Sequence, residues 1–170
     1  MTQEETMHSI ARWADETFGP AASMFRVATR ANEELAECLR AVAAKQPYEK
    51  IIEEAADTLI VLCRVGVMLN IPDTNFSEWS GMTRSAGNIR SRVLGANKDM
   101  SRLLYAIEYW SASDLIELFG SVVMDIKAVA EAADVSLQGT IDAKMKINRQ
   151  RAWKLDGTGH GYHVRQEPAQ

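Results

Sequence analysis

Between Glu33 and Asp57 the chain carries two groups of carboxylates: Glu33, Glu34 and Glu37, then Glu53, Glu54 and Asp57. Glu34 with Glu37, and Glu54 with Asp57, are spaced i,i+3, which projects both side chains of a pair from one helix face. One such pair on a surface helix is ordinarily a solvated acidic face. Two pairs brought together beside apolar residues repel strongly unless protons or cations compensate. A hard divalent cation is the simplest compensation. Mg²⁺, for which Mn²⁺ can substitute, takes oxygen ligands, keeps waters and bridges carboxylates to phosphates. Zinc favours nitrogen and sulfur. A di-iron centre needs Glu-x-x-His pairs, and the histidines, His8, His160 and His163, lie outside this stretch.

The two acidic pairs must be positioned by helices. Apolar residues recur at helical spacing and no stretch reads as a strand, so the expected fold is all-α. A helix over 21–44 carries Met24, Ala28, Leu35, Leu39 and Val42 on one stripe, and Glu34 falls beside that stripe rather than opposite it. Lys45-Gln46-Pro47 makes a turn, and a helix over 47–70 follows, apolar nearly all round beyond Asp57 and therefore central. Glu37 lies roughly 12 Å before the turn and Glu54 roughly 11 Å after it, at 1.5 Å per residue. The pairs are thus expected at one level of an antiparallel hairpin.

A short amphipathic helix over 2–17, stopped by Phe18-Gly19-Pro20, precedes this hairpin. After a loop over 72–81, containing Phe76 and Trp79, helices over 82–110 and 114–133 form a second hairpin that echoes the first. In that alignment Asp99 stands for Glu34, Arg102 for Glu37, Leu118 for Glu54 and Ser121 for Asp57, so the second copy is expected to hold no metal. A last helix over 136–154 places Lys144, Asn148 and Arg151 at i, i+4 and i+7. The expected architecture is a four-helix-bundle core of two tandem hairpins, the second degenerate, plus N-terminal and C-terminal helices. It is read as one domain over 1–170: N-terminal helix to 20, acidic hairpin 21–71, second hairpin 82–134, closing helix and tail 136–165.

With 170 residues, 46% of them hydrophobic, the chain can bury one core. A net charge of −4 with scattered Lys and Arg argues against a nucleic-acid or anionic-membrane surface and for a small partner. Cys38 and Cys63 sit among apolar neighbours as buried thiols. The N-terminus lacks the features of a signal peptide, and the longest apolar run, Leu59–Ile71, is broken by Arg64. A cytoplasmic protein is expected. The Asp156–His163 tail reads as irregular and glycine-rich, with His160 or His163 able to touch a phosphate. Trp13, Phe18, Trp79 and Trp110 are aromatic groups able to stack on a nucleobase, although core or interface is their more ordinary role.

Glu33-Glu34-Leu35-Ala36-Glu37 followed by Glu53-Glu54-Ala55-Ala56-Asp57 resembles the EExxE…ExxD signature of the MazG-like all-α nucleoside triphosphate pyrophosphohydrolases, the superfamily that includes the dimeric dUTPases. Lys144 to Trp153 resembles that family's closing K…N…R element. With Thr17-Phe18-Gly19-Pro20 and the Gly-His-Gly-Tyr-His tail, it looks most like a branch of phages and proteobacteria described as dATP/dGTP pyrophosphohydrolase-like. The likeness covers about residues 8–71 and 135–165 and is weaker between them. It implies Mg²⁺-dependent hydrolysis between the α and β phosphates of a nucleoside triphosphate, with a deoxyribonucleotide the favoured substrate. It implies Glu34, Glu37, Glu54 and Asp57 as metal ligands, Glu33 or Glu53 as the group that orients or deprotonates water, and Lys144, Asn148 and Arg151 on the phosphates. The tandem hairpins suggest a homodimer. Two alternatives stand beside this reading: a phosphoribosyl-ATP pyrophosphohydrolase, and a helical nucleotide-binding or regulatory protein without turnover.

Overall fold

The computed structural model describes residues 4–78 and 87–163. Helix α1 (Met7–Phe18) starts from a capping box in which Thr6 Oγ1 accepts from Ser9 N and Ser9 Oγ accepts from Thr6 N. It ends at Gly19, whose φ of +80° suits a residue without a Cβ. Ser23 caps α2 (Met24–Ala43), Asn88 caps α4 (Ile89–Tyr109) and Ser136 caps α6 (Leu137–Asn148), each accepting a backbone N–H three residues on. Pro47, with no N–H to satisfy, is the residue before α3 (Tyr48–Met68). Helix α5 (Ala112–Ala132) completes the bundle.

Three of these helices end alike. After α2, Gln46 N donates to Ala41 O and Lys45 N to Val42 O; after α3, Ile71 N donates to Gly66 O and Asn70 N to Val67 O; after α5, Val135 N donates to Ala130 O and Asp134 N to Glu131 O. These are Schellman closures, and Lys45, Asn70 and Asp134 adopt the left-handed conformation that glycine more often supplies there.

Helix α3 is the centre, packed against α1, α2, α5 and α6, while α4 packs on α5 and α2. Ile52, Leu59 and Leu62 are at most 1% exposed, and burying each stabilises the fold by about 2 kcal/mol. A single hydrophobic cluster joins residues of all six helices. The all-α bundle of two hairpins with flanking helices is the observed fold. No described helix is long and apolar enough to cross a membrane.

Four expectations change. The first helix starts at Met7 rather than 2, because Thr6 caps it there. The fourth helix starts at Ile89 rather than 82, because Asn88 Oδ1 accepts from Ser91 N and caps it there; residues 82–86, like Trp79, lie outside the described residues. The last helix stops at Asn148 rather than 154, so Arg151 lies beyond it and not on the helical face with Lys144. Trp153 folds back so that its Nε1 donates to Asn148 O, satisfying a terminal carbonyl that a longer helix would have bonded itself. The tail is also not wholly irregular. Strands β1 (Trp153–Leu155) and β2 (Gly161–His163) pair antiparallel, Trp153 opposite His163 and Leu155 opposite Gly161.

Candidate metal centre

One carboxylate oxygen from each of Glu34, Glu54 and Asp57 lies within 4.8 Å of the others, the one such cluster among the described residues. Glu34 comes from α2, and Glu54 and Asp57 come from α3 one turn apart. The hairpin brings them together as the helix lengths on either side of the turn require. Glu34 and Glu54 are each 9% exposed. Burial, reinforced by Asp57, Glu37 and Glu54, pushes the Glu34 carboxyl up to about 7 against the opposing pull of Arg30. Burial likewise raises the Asp57 carboxyl, with Lys144 opposing. The donor set is all oxygen and largely shielded from solvent, which fits a hard divalent cation.

Each of the three carboxylates faces a cation. Arg30 pairs with Glu34, Lys50 Nζ lies 2.7 Å from Glu54 Oε1, and Lys144 Nζ lies 2.5 Å from Asp57 Oδ2. Lys50 and Arg30, which the sequence reading passed over, are one helical turn from their partners, a spacing that any solvated helix shows. Only their place on the cavity wall sets them apart.

That cavity, of about 590 Å³, is lined by the acidic cluster, Glu37, Arg30, Lys50, Lys144, Asn148 and Arg151, and by the aromatic residues Trp13, Phe18 and Trp153. Glu37 lines it from the rim, paired with Arg40 at 3.2 Å. Arg151 reaches back to it from beyond α6, its Nη1 donating to Asn148 Oδ1 at 3.1 Å. The three aromatic rings meet edge to face, with centroids 5.1 to 6.0 Å apart. Trp110 sits elsewhere, exposed against Tyr105 on the second hairpin.

Glu33 and Glu53 do not reach this cavity. Their side chains are 59% and 48% exposed and pair with Arg30 and Lys50 at 2.7 and 3.3 Å. Each lies about 100° around its helix from Glu34 or Glu54, and although i,i+4 from Glu37 or Asp57, its side chain is held in an exposed ion pair outside the lining. The structure thus brings together seven of the nine residues singled out from the sequence, and leaves these two on the outer face.

The second hairpin is different. Asp99 is buried and lies 3.5 Å from Arg102, and Leu118 is buried in the core, so the positions aligned with the ligands hold up the bundle instead.

The tail supplies a wall of the cavity. Arg64, buried on α3, donates to Asp15 Oδ1 at 2.6 Å, to Gly19 O at 2.7 Å and to Gly159 O. Gly159 has φ +88°, and a Cβ there would meet Pro20 O at 2.6 Å, so only glycine lets the tail lie this close. The next residue, His160, lines the cavity. The side chain of His163 lies outside the described residues. No protein-family model, curated protein or solved structure matches the chain.

Proposed function

We propose that the chain is a Mg²⁺-dependent nucleoside triphosphate pyrophosphohydrolase, converting a (d)NTP to the monophosphate and pyrophosphate, with a deoxyribonucleotide as the favoured substrate. One observation carries this reading: Glu34, Glu54 and Asp57 converge within 4.8 Å on a cavity that also presents Lys144 and Arg151. Carboxylates alone would suit a cation store, and cations alone an anion site. Both on one wall suit a metal-bound polyphosphate. The cavity is also large enough for a nucleotide and has an aromatic side against which a base can lie.

In this reading Glu34, Glu54 and Asp57 hold the metal, and Glu37 is the fourth carboxylate in reach. Bound Mg²⁺ would neutralise charge on the phosphates and acidify an attacking water. Lys144, Arg151 and Asn148 grip phosphate oxygens, placing positive charge where negative charge develops. A general base must lie within hydrogen-bond reach of the water it activates. That role falls to a cavity carboxylate rather than to Glu33 or Glu53. The likeness of the acidic hairpin and the Lys144–Trp153 segment to the MazG-like family supports the same reaction, and a homodimer belongs to this reading.

The pairing of all three carboxylates with resident cations favours a second reading, a nucleotide-binding protein whose site is neutral without metal and has no turnover. A panel of NTPs and dNTPs with Mg²⁺, scored for monophosphate and pyrophosphate, separates the two. The expected result is pyrophosphate release that needs Mg²⁺ or Mn²⁺ and disappears in Glu54→Ala/Asp57→Ala. Nucleotide binding without release from any substrate would establish the second reading, and activity surviving the double substitution would remove the metal assignment.

A further inference from the structure

The cavity has two ends, and α3 sets their order. Glu54, Asp57, Val61 and Arg64 follow at i, i+3, i+7 and i+10, one stripe of the helix, and ten residues of helix span about 15 Å. The carboxylates and Lys144 mark one end, Val61 lines the middle, and Arg64 anchors the tail at the other.

The turn between β1 and β2 is held from several sides. Asp156 Oδ1 accepts from Thr158 N at 2.8 Å and His160 N at 3.2 Å, and Asp156 N donates to His160 O at 3.0 Å. Ala22 N donates to Thr158 O at 3.2 Å, Arg26 Nη2 to Thr158 Oγ1 at 3.3 Å, and Arg64 to Gly159 O. All this fixes His160, whose backbone is fully engaged while its side chain is not: Nε2 is buried without a hydrogen-bond partner. Buried polar atoms are nearly always paired. His160 itself lines the cavity, so a ligand seated there is the nearest source of the missing partner.

We propose that His160 Nε2 is the group that reads the nucleobase, hydrogen-bonding to a polar atom on its edge at the end of the cavity remote from the carboxylates. The proposal rests on the nucleotide reading above. Phe18, which a Cβ on the neighbouring Gly161 would meet at 3.0 Å, gives this part of the lining an aromatic side against which a base can lie. Burial and the neighbouring Arg64 hold the imidazole below its ordinary protonation range, so at neutral pH it offers an uncharged donor or acceptor. Arg64, acting through Gly159, is a positioning residue.

Calorimetric titration of the full chain in Mg²⁺ with a panel of nucleoside monophosphates, and separately with inorganic pyrophosphate, tests this. His160→Ala is expected to weaken the best-bound monophosphate about tenfold, the size of one neutral hydrogen bond, and to flatten the ranking among bases. Pyrophosphate affinity stays unchanged, and His160→Gln, which keeps a donor and an acceptor, recovers part of the loss. An equal loss for pyrophosphate would make His160 a phosphate group and overturn the proposal, as would an unchanged base ranking in a folded variant that still binds both. A wild-type chain that binds neither ligand would remove the functional reading itself, and this proposal with it.

Discussion

Glu34→Gln isolates the electrostatic cost of building the acidic cluster. The Glu34 carboxyl is pushed from 4.5 up to about 7, first by burial and then by Asp57, Glu37 and Glu54. Below pH 4.5 both folded and unfolded chains hold this proton, and the group carries no penalty. Between 4.5 and 7 the unfolded chain releases it while the folded one retains it, so stability falls as pH rises. Above 7 the penalty is complete. With each tenfold change in proton affinity contributing about 1.4 kcal/mol, it amounts to about 3 kcal/mol. Urea unfolding in EDTA should therefore find the variant more stable than wild type by about 3 kcal/mol more at pH 8 than at pH 4. Mg²⁺ should reverse the order at pH 8. At a thousand times its dissociation constant it adds about 4.1 kcal/mol to a chain that binds it, more than the penalty it offsets, and the variant lacks a ligand. A stability difference independent of pH would refute the strained carboxylate, and equal Mg²⁺ stabilisation of both proteins would refute its role as a ligand.

Lys144→Met should lower kcat/KM for the best nucleotide by about ten- to a hundredfold, the worth of one charged hydrogen bond; steady-state kinetics check it, and an unchanged value would remove Lys144 from the phosphates. Arg64→Met should destabilise the chain by about 2–4 kcal/mol, since Gly19 O and Gly159 O lose a charged donor while half-exposed Asp15 loses little. Urea denaturation measures the loss, and Trp153 fluorescence should report release of the ribbon before the bundle unfolds.

The acidic cluster was legible because two short-range rules suffice for it: the helical period puts Glu54 and Asp57 on one face, and the turn at Lys45–Pro47 sets the level at which Glu34 meets them. Glu33 and Glu53 had the right charge and, at i,i+4 from Glu37 and Asp57, a spacing that the period does not exclude; their exposed pairing with Arg30 and Lys50 is what the structure adds. The end of α6 was hidden because Arg149, Gln150, Arg151 and Ala152 are ordinary helix formers with no Gly or Pro among them. What stops the helix is the hairpin pairing of Trp153–Leu155 with Gly161–His163. Strands of three residues are too short to display alternation. His160 was hidden because its place is set by Arg64, 95 residues before Gly159. In the sequence Arg64 is merely the charge that interrupts an apolar run.

That interruption connects the two halves of the candidate site. Helix α3 carries the carboxylates Glu54 and Asp57, and two turns beyond Asp57, on the same face, the guanidinium that holds the tail. The acidic hairpin alone would leave its carboxylates facing open solvent on one side. Lys144, Arg151 and His160 close that side, and all come from chain that returns to α3 only beyond the whole second hairpin in sequence. The second hairpin, with Leu118 and Asp99 buried where its counterpart has cavity carboxylates, packs α4 on α2 and α5 on α3, and so fixes the framework to which the tail returns. Spacing along α3 does the rest. One residue inserted between Asp57 and Arg64 would rotate the clip by about 100° relative to the carboxylates, and the two ends of the cavity would no longer share a wall.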